Sequence, residues 1–299
     1  MRTVYLGTSD FAATVLDRLA ASPHRPQLVV TRPDAPRGRG RKLAPPPVSE
    51  TAQLLGVEVF QPENVNSEQA RERIAATEPE AIAICAYGAL IKEPLLSEHE
   101  MLNVHPSLLP RWRGAAPVER AIEAGDEETG VSIMRPTAEF DAGPVALQRA
   151  EQIRPDDDYG SLAPRLAALG GELLVEALDL RPSFREQPDT GVTYAEKIGP
   201  EDRRLDPELS ADLLERRVRA LTPHIGAYVE LPWAERLGVT RAALAPGGGP
   251  PPGELAITDG RLLYGAASGA LELQEVHPAG KRPMDAEAWI RGYGERVRG

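Results

Sequence analysis

Short apolar runs recur along the first part of the chain, at 3–6, 27–31, 57–60, 81–85 and 102–104, each too brief for a buried helix and rich in Val, Ile and Leu. They predict strands covered on both faces. Between them, 11–21, 49–55 and 67–76 space their apolar residues as helices do, and this alternation predicts a parallel sheet sheathed by helices. A helix at 115–124, strands at 130–135 and 145–149 around the turn Asp141-Ala142-Gly143-Pro144, and a helix at 158–180 follow. The periodicity lapses through Pro182, Pro188, Asp189-Thr190-Gly191 and Gly199-Pro200, a composition suited to a linker. Beyond it, one helix at 210–221 and strand-like runs at 228–231, 253–257, 261–264 and 270–276 predict a small β-barrel. The expected organisation is therefore an α/β domain over 1–181, a linker over 182–203 and a β-rich domain over 204–299.

Charge narrows the choice of partners. Lys+Arg 34 against Asp+Glu 45 gives a net charge of -11, which opposes a general grip on nucleic acid or anionic membrane, so a polyanion must meet a local basic patch. One such patch exists, Arg37-Gly38-Arg39-Gly40-Arg41-Lys42, whose glycines let the backbone mould to a phosphate chain. Cys85 is the sole cysteine and lies in an apolar run, so a buried, reduced thiol and a cytoplasmic setting are expected. No apolar run is long enough to span a bilayer, and the start passes directly into a strand pattern, so neither membrane residence nor secretion is expected. His24, His99, His105, His224 and His277 are scattered, and no metal is expected. Gly7-Thr8-Ser9-Asp10-Phe11 lacks the glycine spacing of a dinucleotide or P-loop fingerprint.

The chemistry concentrates in Asn103-Val104-His105-Pro106-Ser107-Leu108-Leu109-Pro110. Strand alternation points Asn103 and His105 the same way, where an amide and an imidazole can grip one developing oxyanion. Pro106 and Pro110 stiffen the loop that follows. Buried Asn and His side chains are commonly scaffolding, and Asp141 in Asp-Ala-Gly-Pro is by default a turn residue. The strand end changes that weighting, because open α/β sheets bind ligands at the carboxyl ends of their strands, where Gly7, 32–47, 86–91 and 103–110 all fall. From there Asp141 can reach His105 to orient it or to accept a proton.

These residues, with Arg111-Trp112-Arg113-Gly114 and Asp141-Ala142-Gly143, resemble the active-site pattern of the folate-dependent formyltransferases. Leu6-Gly7-Thr8-Ser9-Asp10-Phe11, Gly125-Asp126-Glu127-Glu128-Thr129-Gly130, Tyr194-Ala195-Glu196-Lys197-Ile198 and Pro278-Ala279-Gly280-Lys281-Arg282 are especially similar to the methionyl-tRNA formyltransferase family. The resemblance thus covers nearly the whole chain. It implies a Rossmann-like first domain and an OB-like barrel, with Asn103, His105 and Asp141 as the catalytic trio and 10-formyltetrahydrofolate as co-substrate. It places Ala86, Tyr87, Gly88, Leu90 and Ile91, with Ser107, Leu108, Leu109 and Pro110, around the pterin. Initiator methionyl-tRNA is the implied partner, its acceptor arm met by Arg37, Arg39, Arg41 and Lys42; Arg203, Arg204, Arg216, Arg217, Arg219, Lys281 and Arg282 are further candidate phosphate contacts. A monomer in the cytoplasm is expected. The same trio serves sugar-nucleotide N-formyltransferases and formyltetrahydrofolate hydrolases, and a non-catalytic tRNA-binding module is the reading of a different class. The basic loop and second domain favour a tRNA acceptor.

Overall fold

The computed structural model describes residues 1–37, 42–233 and 235–298. The elements run β1 (Thr3–Gly7), α1 (Asp10–Ala20), β2 (Pro26–Val30), β3 (Ala35–Arg37), β4 (Lys42–Ala44), α2 (Pro47–Leu54), β5 (Glu58–Phe60), α3 (Glu68–Ala75), β6 (Ala81–Cys85), α4 (Leu95–Glu98), β7 (Met101–His105), β8 (Arg113–Gly114), α5 (Pro117–Ala124), β9 (Glu128–Met134), β10 (Val145–Gln152), α6 (Tyr159–Leu180) and β11 (Tyr194–Ala195). After a 3-10 turn come α7 (Ala211–Leu221), β12 (Ala227–Glu230), β13 (Arg236–Leu244), β14 (Leu255–Thr258), β15 (Arg261–Gly265), β16 (Ala270–Pro278), β17 (Met284–Asp285), α8 (Ala286–Tyr293) and α9 (Glu295–Arg298).

By contact the chain divides into two compact units, one of Met1–Gly114, Glu128–Gln152 and Ala163–Ala195, the other of Ala115–Glu127, Ile153–Leu162 and Glu196–Gly299. The first is built on a 7-stranded sheet in the order β10-β9-β7-β6-β1-β2-β5. Strands β7, β6, β1, β2 and β5 pair parallel, as the alternation with helices predicts. Only β9 is reversed: it pairs antiparallel with both β7 and β10. Antiparallel neighbours need no helical crossover, so β9 and β10 are joined by the loop that holds Asp141. Local sequence sets the helix starts; the Ser9 and Ser67 hydroxyls accept from Ala12 N and Ala70 N at the heads of α1 and α3. Val4, Leu6, Leu28, Ile82 and Ile84 fill one face of the sheet.

The second unit holds an antiparallel sheet in the order β12-β13-β16-β15-β14, with β17 on β16. Leu214, Val218 and Leu221 of α7 and Trp289 of α8 pack against Val229, Leu237, Val239, Leu271 and Leu273. Helix α5 is grouped with this unit. Its Glu123 accepts from Arg120 Nη1 at 2.8 Å and Arg217 Nε at 2.6 Å, and the Glu123 carbonyl accepts from Arg216 Nε at 3.0 Å.

Candidate active site

Strand β7 delivers Asn103 and His105 on one side of the first unit's sheet, where its neighbours are fixed by register: Asn103 lies opposite Met134, and His105 opposite Ser132. The Asn103 amide gives one N–H to the Met134 sulfur at 3.6 Å, a weak acceptor. Its second N–H and its carbonyl make no hydrogen bond among the described residues. His105 is buried, with its Nε2 2.9 Å from the Trp112 carbonyl oxygen. A carbonyl can only accept, so the proton of the neutral ring sits on Nε2 and Nδ1 is left for proton traffic. Nδ1 lies 3.6 Å from Asp141 Oδ2, which brings two of the expected trio together.

Asp141 is held from several sides. Its Oδ2 accepts from Gly114 N–H at 2.9 Å, and its backbone carbonyl accepts from Gln187 Nε2 at 2.7 Å. The same Nε2 donates to the Gly143 carbonyl at 2.7 Å, while Gln187 Oε1 accepts from Arg113 Nε at 3.0 Å. Asp141 adopts φ 47, a left-handed state uncommon outside glycine. Gly114 needs its identity for two reasons: φ is 124, and a Cβ there would stand 2.6 Å from the Ala195 carbonyl oxygen across the β8–β11 pair. The Trp112 N–H donates to Thr193 Oγ1 at 2.9 Å, fastening the segment whose carbonyl holds His105. Periodicity passes over Gln187 and Thr193, which act through side chains in an aperiodic stretch. Their signal was the neighbouring Tyr194-Ala195 in the resemblance.

The loop after His105 is tied to β9 and β10. Ser132 Oγ donates to the Ser107 carbonyl at 2.6 Å and accepts from Leu109 N–H at 3.1 Å and Gln148 Nε2 at 2.9 Å. Gln148 also donates to the Leu109 carbonyl at 2.8 Å, and Ser107 Oγ to the Arg111 carbonyl at 2.6 Å. Ser107 and Leu109 are buried, whereas Leu108 and Pro110 are half-buried.

The loop after β6 behaves differently. Ala86 (φ 42), Gly88 (φ 79) and Leu90 are exposed, and the Leu90 carbonyl accepts from Asn66 Nδ2 at 2.9 Å. Tyr87 and Ile91 turn into the apolar cluster of the sheet. The Tyr87 carbonyl accepts from Thr8 Oγ1 at 2.7 Å, and burial pushes the Tyr87 phenol up to about 12. Burial likewise pushes the Cys85 thiol up to about 12, so it is a protonated core group.

Of the expected tRNA contacts, Arg37 and Lys42 pair across the β3–β4 ribbon, with the Lys42 side chain exposed. Arg39 and Arg41 lie outside the described residues. Several second-unit cations are engaged internally. Arg203 donates to the Gly226 carbonyl, Arg204 pairs with Glu230 at 3.5 Å, Arg216 and Arg217 hold Glu123, and Arg219 pairs with Glu215 at 2.7 Å. No group of three or more His, Cys, Asp or Glu able to hold a metal ion occurs among the described residues, and no helix there is long and apolar enough to cross a membrane.

Residues 1–178 match the family model described as formyl transferase, and 197–294 match that of the formyl transferase C-terminal domain. The chain is 42% identical over 299 residues to the methionyl-tRNA formyltransferase of Methylococcus capsulatus, covering 98% of this chain and 97% of that protein. Among solved structures it resembles the methionyl-tRNA formyltransferase from Clostridium thermocellum, with TM-score 0.58, 15% identity and coverage of 83% of this chain and 95% of that one. It also resembles HypX from Aquifex aeolicus in complex with tetrahydrofolic acid, with TM-score 0.62 and 19% identity, covering 100% of this chain but only 48% of that longer one. At those identities the solved structures speak for the fold alone. The family models and the near-full-length relatives show that the chain belongs to the formyl transferase family, and within it to the methionyl-tRNA formyltransferases.

Proposed function

We propose that this chain transfers the formyl group of 10-formyltetrahydrofolate to the α-amino group of methionine esterified to initiator tRNA, with Asn103, His105 and Asp141 as its catalytic groups. One observation carries the reading: 42% identity with a methionyl-tRNA formyltransferase over 98% of this chain. The folate supplies the formyl carbon. The residues present suit it, since the loop at 86–91 exposes Ala86 and Gly88, and one Asn103 N–H has no hydrogen-bond partner among the described residues.

The neutral acceptor amine attacks the formyl carbon, and negative charge gathers on the formyl oxygen. Asn103 donates its remaining N–H to that oxygen. Asp141, directly or through a water, takes the proton lost by the amine and offsets positive charge on His105. Asp141 passes that proton to His105 Nδ1, 3.6 Å away, and the ring delivers it to the nitrogen released when the old C–N bond breaks. One proton leaves the amine and one reaches the leaving group, so the transfer balances.

A monomer is the proposed working unit. The division into a catalytic domain over 1–181, a linker over 182–203 and a tRNA-binding domain over 204–299 belongs to the same proposal, as does the cytoplasm, where initiator tRNA is charged. The acceptor arm meets Arg37, Arg39, Arg41 and Lys42, a basic concentration in a chain of net charge -11. The test is labelled formyl folate offered with mixed aminoacyl-tRNA and amino-sugar nucleotides. Label on methionyl-tRNA is expected; label on the sugar nucleotide, or release as formate alone, overturns the reading.

A further inference from the structure

Among the described residues Gln187 hydrogen-bonds to none of the three proposed catalytic side chains, yet its hydrogen bonds converge on the turn that carries one of them. Residues 136–143 lie outside the strand ladders; the loop is closed at its base by Arg135 N–H to the Pro144 carbonyl at 2.9 Å and tied within by Thr137 Oγ1 to the Glu139 carbonyl at 3.1 Å. Within that loop Asp141 sits at φ 47, which its own backbone does not favour. Its backbone carbonyl is braced by one carboxamide. Gln187 Nε2 reaches the Asp141 and Gly143 carbonyls, each at 2.7 Å, and its Oε1 takes Arg113 Nε at 3.0 Å. Arg113 precedes Gly114, whose N–H secures the Asp141 carboxylate at 2.9 Å. Asp141 is thus fixed at its backbone and at its side chain by one strand and the residue docked on it.

We propose that Gln187 is a positioning residue for formyl transfer, setting the left-handed turn so that Asp141 presents Oδ2 to His105 Nδ1. This rests on the formyl-transfer reading above. Only glutamine meets the demand: two N–H donors straddle two carbonyls while an acceptor faces a guanidinium. Glutamate has no donor to offer and would set a carboxylate against both carbonyls. Methionine matches the length and offers neither function, and asparagine keeps the amide but falls one methylene short.

The test compares Gln187→Glu, Gln187→Met and Gln187→Asn in the full chain, by steady-state transfer to methionyl-tRNA. Displacing a catalytic group by about 1 Å costs up to roughly 10²-fold, so kcat is expected to fall by about 10- to 100-fold in Gln187→Met, with KM for both substrates within about threefold. Gln187→Asn serves if the other two fail to fold. The discriminating measurement is a cycle with Asp141→Asn. If Gln187 works through Asp141, the Asp141→Asn/Gln187→Met double variant is no slower than Asp141→Asn alone. Multiplying losses, or a Gln187→Met enzyme with wild-type kcat, would overturn the proposal. Wild-type turnover in the same series separates its failure from failure of the functional reading.

Discussion

Replacing Asp141 by asparagine removes one charge from the trio and almost no volume. The amide oxygen can still accept the Gly114 N–H now given to Oδ2 at 2.9 Å, so the turn should keep its place. What disappears is attraction for positive charge on His105, whose Nδ1 stands 3.6 Å away. At that separation and an effective dielectric of about 20, opposite unit charges attract by roughly 4–5 kcal/mol. The Asp141 side chain is 19% exposed, and contact with solvent trims the figure to about 3 kcal/mol. This corresponds to a loss of roughly two powers of ten in kcat. Neither substrate is bound chiefly by this carboxylate, so KM should stay near its wild-type value. Single-turnover transfer at saturating folate and methionyl-tRNA, with thermal unfolding as a control, measures the effect. A stable variant whose kcat stays within about threefold of wild type, or whose loss lies wholly in KM, would refute the assignment.

Asn103→Ala removes the proposed donor to the formyl oxygen and should lower kcat by about two to three powers of ten with tRNA affinity unchanged, as single-turnover rates beside filter binding would reveal. Lys42→Ala, an exposed change, should weaken tRNA binding and reduce the slope of log affinity against log salt by about 1, with folate binding unaffected; an unaltered slope speaks against that contact. Cys85→Ala should flatten the alkaline loss of stability. The folded thiol titrates at about 12 against a reference of 9.0, so its contribution is complete below pH 9.0 and is lost as pH rises towards 12. The lost slope is about 1.4 kcal/mol per pH unit, readable from denaturant unfolding at pH 8 and pH 10.

Much of the site is legible in the sequence because it follows from strand geometry. Asn103 and His105 share a side through a period of two, and both lie in a run whose apolar flanks mark a buried strand. The reversal of β9 is less visible, since apolar content gives a strand no direction; the short return through Asp141 is the cue to an antiparallel neighbour. Gln187 and Thr193 escape a pattern-based reading because one side-chain amide or hydroxyl leaves no periodic trace. The second-unit arginines show the converse. Their charge is plain in the sequence, but whether a guanidinium faces a phosphate or a neighbouring carboxylate depends on partners such as Glu123, which is distant in sequence from Arg217. Tyr87 is expected beside the pterin with the rest of its loop; the fold turns its ring into the apolar cluster, while Ala86 and Gly88 on either side are exposed.

Ser132 bonds to two backbone groups of the segment after His105, and Gln148 to a third, the Leu109 carbonyl, and to Ser132 itself. All the atoms in this lattice belong to the chain. The freedom of that segment is therefore given up when the sheet assembles, and an arriving substrate meets a wall already in shape. Its contacts can then act on the reacting atoms, with little diverted to ordering a slack peptide.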